Sequence, residues 1–441
     1  MTDANLAILH IHQLLTMAGP ARPRVGAEMN GLGLIADGAV ILGDGRIRWV
    51  GPSSAVPDDL RRQCDRIVDL AGRPLVVLPG FVDSHAHPAF AGTREEEYEL
   101  RIRGATYEEI AARGGGILNS ARRVAQASRE QITANILHYA PLFLAHGTTT
   151  IEAKSGYGLS VDGELKLLRA IRDAGAHTPL EMVPTFLGAH AYPAEYRDDH
   201  RGYLNLIIHD MLPRVAAEKL AVFCDVFCDR GFFSVAETAE ILEAAARFGL
   251  RPKIHADELA PFGAAELAAR LNAVGADHLE KISPAGIRAM ADQRTVAGLL
   301  PGTAFNLALE HYPPARALID GGVPVALATD FNPGSCFTLN MQLILAIACT
   351  QMKMSPAEAL TAATINGAHA LDQGDRLGSL EPGKAADLAV MDCADYRIIP
   401  YFFGVNHCVE TIKGGRPMNG FAFLAPTADT TGFRSARPAS E

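Results

Sequence analysis

The chain has 441 residues, enough for about three domains of ~150 residues or for one α/β barrel of about 250 residues with an appendage. Lysine and arginine number 40 against 50 aspartates and glutamates, a formal charge of −10, and the absence of any basic block excludes a nucleic-acid partner. Hydrophobic residues make up 48% and charged residues 20%, which excludes a disordered chain; apolar runs such as Leu343 to Cys349 fall far short of the ~20 residues that cross a bilayer. The seven cysteines are scattered, with no C-x-x-C pair, and the chain opens on Asp3 where a secretory leader needs positive charge. A reducing cytoplasm is the expected compartment.

In chain order, residues 1–74 carry alternating strand-like pieces, GAVILGDGRIRWVG among them, with Asp44-Gly45 as the turn of a hairpin. Eight short apolar or β-branched runs follow: 75–85, 148–154, 180–186, 221–227, 252–256, 276–279, 296–300 and 324–329. Helical segments separate them, most clearly SVAETAEILEAAARFGL (234–250), where Ser234 and Glu237 form a capping box and Gly249 a stop. Eight such alternations predict an α/β fold, a (β/α)8 TIM-type barrel over 75–375, with a doubly wound open sheet as the runner-up. Strand patterns return in GKAADLAVMD and CVETIKGGRPM within 376–425, so both chain ends are expected to build one small β-sandwich domain. The Thr-, Ser-, Pro- and Gly-rich tail, 426–441, reads as poorly ordered. Cys224 and Cys228 alternate along one strand and read as core.

The first barrel strand runs into His85-Ala86-His87, whose imidazoles, two residues apart, point to the same side. His255 ends the fifth strand, His278 the sixth and Asp330 the eighth. Each alone has an ordinary explanation, a polar strand end or a cap, but in a barrel all these ends face one mouth. Imidazoles with a carboxylate and no thiolate suit zinc, with iron as the alternative, and three imidazoles plus one carboxylate leave room for a water. Lys154 ends the second strand, whereas a ligand bridging two metals would come from the fourth. One metal is therefore expected, with Lys154 packing its stem and presenting its charge near the mouth.

PGFVDSHAH, the A-D-H run and the aspartate after the eighth strand resemble the amidohydrolase superfamily over nearly the whole chain. Within it, HAHPAFAGTREEEYELRIRGATYEEIAARGGGI, EAKSGYG, TFLGAHAYPAEY, KIHADE, LLPGTAF and ATDFNPGS resemble the imidazolonepropionase family. Ala86 and Thr93 stand where members commonly carry Thr and Ser, changes that remove neither a ligand nor a charge. The resemblance implies hydrolysis of 4-imidazolone-5-propanoate to N-formimidoyl-L-glutamate in histidine breakdown. It implies metal binding by His85, His87, His255 and Asp330, and substrate binding by Arg94, Tyr157, His190, Glu258, Asn332, Gly334 and Ser335.

That chemistry is sound on independent grounds. Opening a cyclic amide at neutral pH needs a strong nucleophile, which a divalent metal supplies by lowering the pKa of water to about 7. Asp330 and Glu258 share the base role, and His278 is placed to donate to the oxyanion growing on the ring carbonyl. Arg94 has the planar fork that grips a propanoate, although TREEEYE would also let it pair with Glu97. Tyr157 sits in SGYG, read as a mobile loop over the ligand, and His190 follows the third strand. Asn332 and Ser335 offer polar groups to the ring or the opened product, and Gly334 permits close approach. Two alternatives compete: another cyclic amidase or heterocycle deaminase, whose neutral ring would give Arg94 no carboxylate, and a noncatalytic barrel, which would lack part of the histidine set. A homodimer is the expected assembly.

Overall fold

The computed structural model describes residues 5–105, 109 and 114–424; the tail 426–441 lies outside the described residues. The chain opens with β1 (Leu6–Leu15), β2 (Leu34–Gly43), β3 (Arg46–Pro52), β4 (Arg66–Asp69) and β5 (Val76–Pro79). The β2–β3 hairpin turns at Asp44-Gly45, where both residues take positive φ (52° and 72°), the signature of the two-residue turn that suits strand twist.

The run 75–85, expected as one strand, is two. β5 joins the terminal sheet, and β6 (Phe81–Asp83) opens the barrel. Gly80 lies between them against Thr149, and a Cβ there would overlap the Thr149 side chain. Glycine is what lets the chain pass from one sheet to the other.

From β6 the barrel continues through β7 (Thr148–Lys154), β8 (Glu181–Ala189), β9 (Phe223–Cys228), β10 (Arg251–Ala256), β11 (Gly275–His278), β12 (Val296–Leu299) and β13 (Val325–Leu327). These eight strands pair in parallel in chain order. Helices such as Val235–Arg247 form the crossovers; its capping box at Ser234 and Glu237 is present, and it buries Ile241, Leu242 and Ala245 against β9 and β10. Cys224 and Cys228 are buried in the core.

Between β13 and β6 the barrel is closed by the chain just beyond the strand ends. Asp330 N–H donates to the His85 carbonyl at 3.0 Å, His87 N–H to the Phe331 carbonyl at 2.8 Å, and Ala86 bridges Phe331 in parallel. Beneath them the Asp83 carboxylate accepts from Thr329 N–H (2.9 Å) and Thr329 Oγ1 (2.5 Å). The closing seam thus carries both histidines of H-x-H to the aspartate after the last strand.

β14 (Leu388–Met391), β15 (Cys408–Lys413) and β16 (Arg416–Pro417) complete the terminal sheet in the order β16-β15-β14-β5-β1-β2-β3, with β4 on β1. It is one mixed sheet built from both chain ends. One apolar cluster draws Leu6, Ile8, Val40 and Ile47 together with Leu388, Val390 and Ile412, and Ile47 N–H donates to the Lys384 carbonyl. No helix among the described residues is long and apolar enough to cross a membrane.

Candidate metal centre and active site

At the mouth formed by the strand ends, His85 Nε2 and His87 Nε2 stand 3.2 Å apart, and Asp330 Oδ1 lies 3.7 Å from the first and 3.5 Å from the second. Two ligands held tetrahedrally at zinc–nitrogen lengths would be about 3.3 Å apart, so these spacings suit a shared cation. The His255 ring centre lies 4.5 Å from that of His85 and 5.5 Å from that of His87. Its Nε2 is buried with no hydrogen-bond partner, a cost of about 1–3 kcal/mol that a metal bond would remove. The residues present therefore fit a metal. Burial, reinforced by the neighbouring Lys154 and histidine charges, holds His85, His87 and His278 well below the usual histidine pKa, leaving them neutral as ligation requires.

The orientation of these rings is set from below. His85 Nδ1 donates to Asp277 Oδ2 at 2.7 Å, which turns the Nε2 lone pair to the mouth, and His255 Nδ1 lies 3.0 Å from Asp225 Oδ2. Lys154 corrects the sequence reading: rather than facing the mouth it is fully buried inside the barrel, with Nζ 2.5 Å from Asp225 and 3.0 Å from Glu152. Burial alone would discharge it, but the attraction of Asp225, Glu152 and Asp277 outweighs that and lifts its pKa. Lys253 joins the same network through Glu152 (2.7 Å) and the Ser84 carbonyl (2.9 Å). Asp225, Asp277, Glu152 and Lys253 were missed as site residues. Their signal is the period of two: Glu152 and Lys154 in β7, and Lys253 and His255 in β10, put charge on one strand face.

His278, next to Glu258 (Nδ1 to Oε2, 3.6 Å), has a nitrogen within 4.8 Å of those of both His85 and His255. Burial, with Glu280 and Asp330 adding repulsion, raises the Glu258 carboxyl well above its ordinary pKa. Burial also pushes Asp330 up to about 6, although its Oδ2 accepts from Thr303 Oγ1 at 2.5 Å.

A cavity of about 420 Å³ is lined by His87, His255, His278, Glu258 and Asp330 together with Arg94. The pairing of Arg94 with Glu97 is long, 3.8 Å, because the Glu97 oxygens accept from Gly116 N–H (3.1 Å) and Asn119 Nδ2 (2.7 Å). Arg94 Nε and Nη1 are buried without a partner. Gly334 faces the same guanidinium so closely that any Cβ would overlap it. His190 donates from Nδ1 to the Gly156 carbonyl (3.0 Å), and burial drops its pKa to about 3, so a neutral Nε2 faces the cavity stacked beside His87.

Two loop expectations need correcting. The SGYG loop is pinned, not mobile, because the buried Glu164 carboxylate accepts from the N–H groups of Gly156, Gly158 and Leu159. Tyr157 is accordingly buried, its ring 5.9 Å from His87. Asn332 lines the cavity, but its amide is engaged within its own loop, donating to the Asp330 carbonyl (2.7 Å) and Ser335 Oγ (2.8 Å) and accepting from Gly334 and Ser335 N–H (both 2.8 Å). Its structural work is to shape the loop that presents Ser335.

Residues 76–418 match the amidohydrolase family. Among curated relatives, the imidazolonepropionase of Solibacter usitatus is 50% identical over 404 residues, 92% of this chain and 96% of that protein. That of Geobacillus thermodenitrificans is 48% identical, covering 93% and 97%. The chain belongs to the imidazolonepropionase family of amidohydrolases. Solved structures outside it share the fold at low identity. A zinc-bound adenosine deaminase from Xanthomonas campestris aligns with a TM-score of 0.67 at 19% identity, covering 94% of this chain and 92% of that one. A 5-methylcytosine deaminase from Klebsiella pneumoniae gives 0.69 at 18%, covering 93% and 97%. In a parallel barrel the mouth at the strand C-terminal ends is where function is to be sought.

Proposed function

We propose that this chain hydrolyses 4-imidazolone-5-propanoate to N-formimidoyl-L-glutamate, the ring-opening step of histidine degradation. The observation that carries this reading is the buried Arg94 guanidinium, whose Nε and Nη1 have no hydrogen-bond partner, lining the same cavity as His87, His255 and Asp330, which with His85 form the nest. A ligand with a flat ring and a terminal carboxylate satisfies both ends.

The four nest residues would hold one metal, zinc first and iron second. Bound there, the metal lowers the pKa of water towards 7 and polarises a carbonyl oxygen. Asp330 accepts the proton of the attacking water, and Glu258 shares this proton traffic. Water adds to the ring carbonyl carbon, the carbon–nitrogen bond breaks, and the nitrogen takes up the proton. His278 donates to the carbonyl oxygen as negative charge grows on it. Arg94 fixes the propanoate, Tyr157 and His190 flank the ring, and Ser335 and the backbone at Gly334 meet the opened product. Location in the cytoplasm and assembly as a homodimer complete the proposal.

An assay of ring opening with 4-imidazolone-5-propanoate, run beside neutral cyclic amides and heterocyclic amines, tests the reading. Turnover confined to the propanoate supports it; turnover of the neutral rings alone would mean an amidase or deaminase. Arg94→Met should raise KM about 10- to 100-fold through loss of a charge-assisted contact of about 1.5–3 kcal/mol. Gly334→Ala should raise KM in the same direction by displacing that guanidinium, and steady-state kinetics of the two variants would expose any difference in sign.

A further inference from the structure

The helix Glu95–Ile102 places a second cation on the cavity wall. Arg94 at its N-cap and Arg101 near its end are seven positions apart, about two turns, and so share one helix face, with Glu97 between them. Arg101 lines the cavity, half-buried, and its Nη2 lies 3.5 Å from the carbonyl oxygen of Gly334, the glycine against which Arg94 packs. The two guanidiniums feel each other: burial and the Arg94 charge both press the Arg101 pKa downward. Glu97 offsets one charge at 3.8 Å from Arg94, but its oxygens are committed to Gly116 and Asn119. Two adjoining cations with one distracted carboxylate leave an excess positive charge on this part of the cavity lining.

A carboxylate has two oxygens and about four lone-pair sites, enough for two guanidinium forks. We infer that Arg101 is a second contact for the substrate carboxylate, gripping it together with Arg94 and so fixing how far the charged end stands from the ring. This rests on the propanoate substrate proposed above. It also gives the like-charged pair a reason: the repulsion that costs stability in the empty site becomes attraction when an anion is bound.

The test compares wild-type protein, Arg101→Met and Arg101→Lys on 4-imidazolone-5-propanoate and on the corresponding propanamide, which keeps the ring and loses the charge. With the propanoate, Arg101→Met should raise KM about 10- to 100-fold with kcat changed less than about threefold, and Arg101→Lys should recover part of the loss. With the propanamide, wild type and Arg101→Met should agree within about threefold. An equal loss on both substrates would make Arg101 a packing residue, and no loss on either would remove it from the site; each result overturns the inference and leaves the activity standing. Failure of wild-type protein to open the propanoate would instead overturn the functional reading, and this inference with it.

Discussion

Replacing Asp330 by alanine is expected to lower kcat by at least ~10³-fold without unfolding the protein. The side chain is asked for two things at once: Oδ1 faces both histidines of the seam, and the carboxylate is the proton acceptor in the mechanism proposed above. General base catalysis alone is worth about 10²- to 10⁴-fold, and loss of a metal ligand adds to that. One structural cost has to be separated from the chemistry. Asp330 has φ +52°, a left-handed conformation that costs alanine roughly 1–2 kcal/mol and that asparagine adopts more readily. Asp330→Asn keeps the backbone and the hydrogen bond from Thr303 but cannot take up a proton. Both variants should therefore lose activity alike while differing in melting temperature. Asparagine with near-normal kcat would remove the carboxylate from the mechanism.

Lys154→Met should cost about 3–5 kcal/mol of folding stability, measured by urea denaturation, because a buried ammonium is removed and its partners stay behind. Asp225 would then lose its ammonium partner inside the barrel, and Glu152 would keep only Lys253 as a cationic partner. Asp225 also stands beside His255, so zinc affinity should fall about 10- to 100-fold as that ring loses its anchor. The methionine has nearly the length of the lysine stem, which keeps packing loss small. A variant with wild-type stability would show that the network is solvated or rearranged, contrary to the buried geometry.

The sequence carried the barrel because its eight strand runs and their helical crossovers are local patterns, and strand-end positions translate directly into a common mouth. It did not carry the division of 75–85, since an apolar run reads the same whether one sheet or two receive it; only the contact of Gly80 with Thr149 distinguishes them. His85, His87, His255, His278 and Asp330 were legible from residue type and position. The supporting charges were not, because Lys154, Lys253, Asp225 and Asp277 look like surface residues until strand closure turns their faces inward. Arg101 was hidden for a related reason: one basic residue in TREEEYELRIR is indistinguishable from its neighbours until the helix face toward the cavity is known. The SGYG loop looked mobile by composition, and only the distant placement of Glu164 over three N–H groups pins it.

The most direct test of the shared-cation claim is anomalous diffraction at the zinc edge from crystals of zinc-reconstituted protein. The account predicts a single peak within about 2.0–2.2 Å of ligand atoms from His85, His87, His255 and Asp330. A peak elsewhere, two peaks of equal height, or none at all would contradict it.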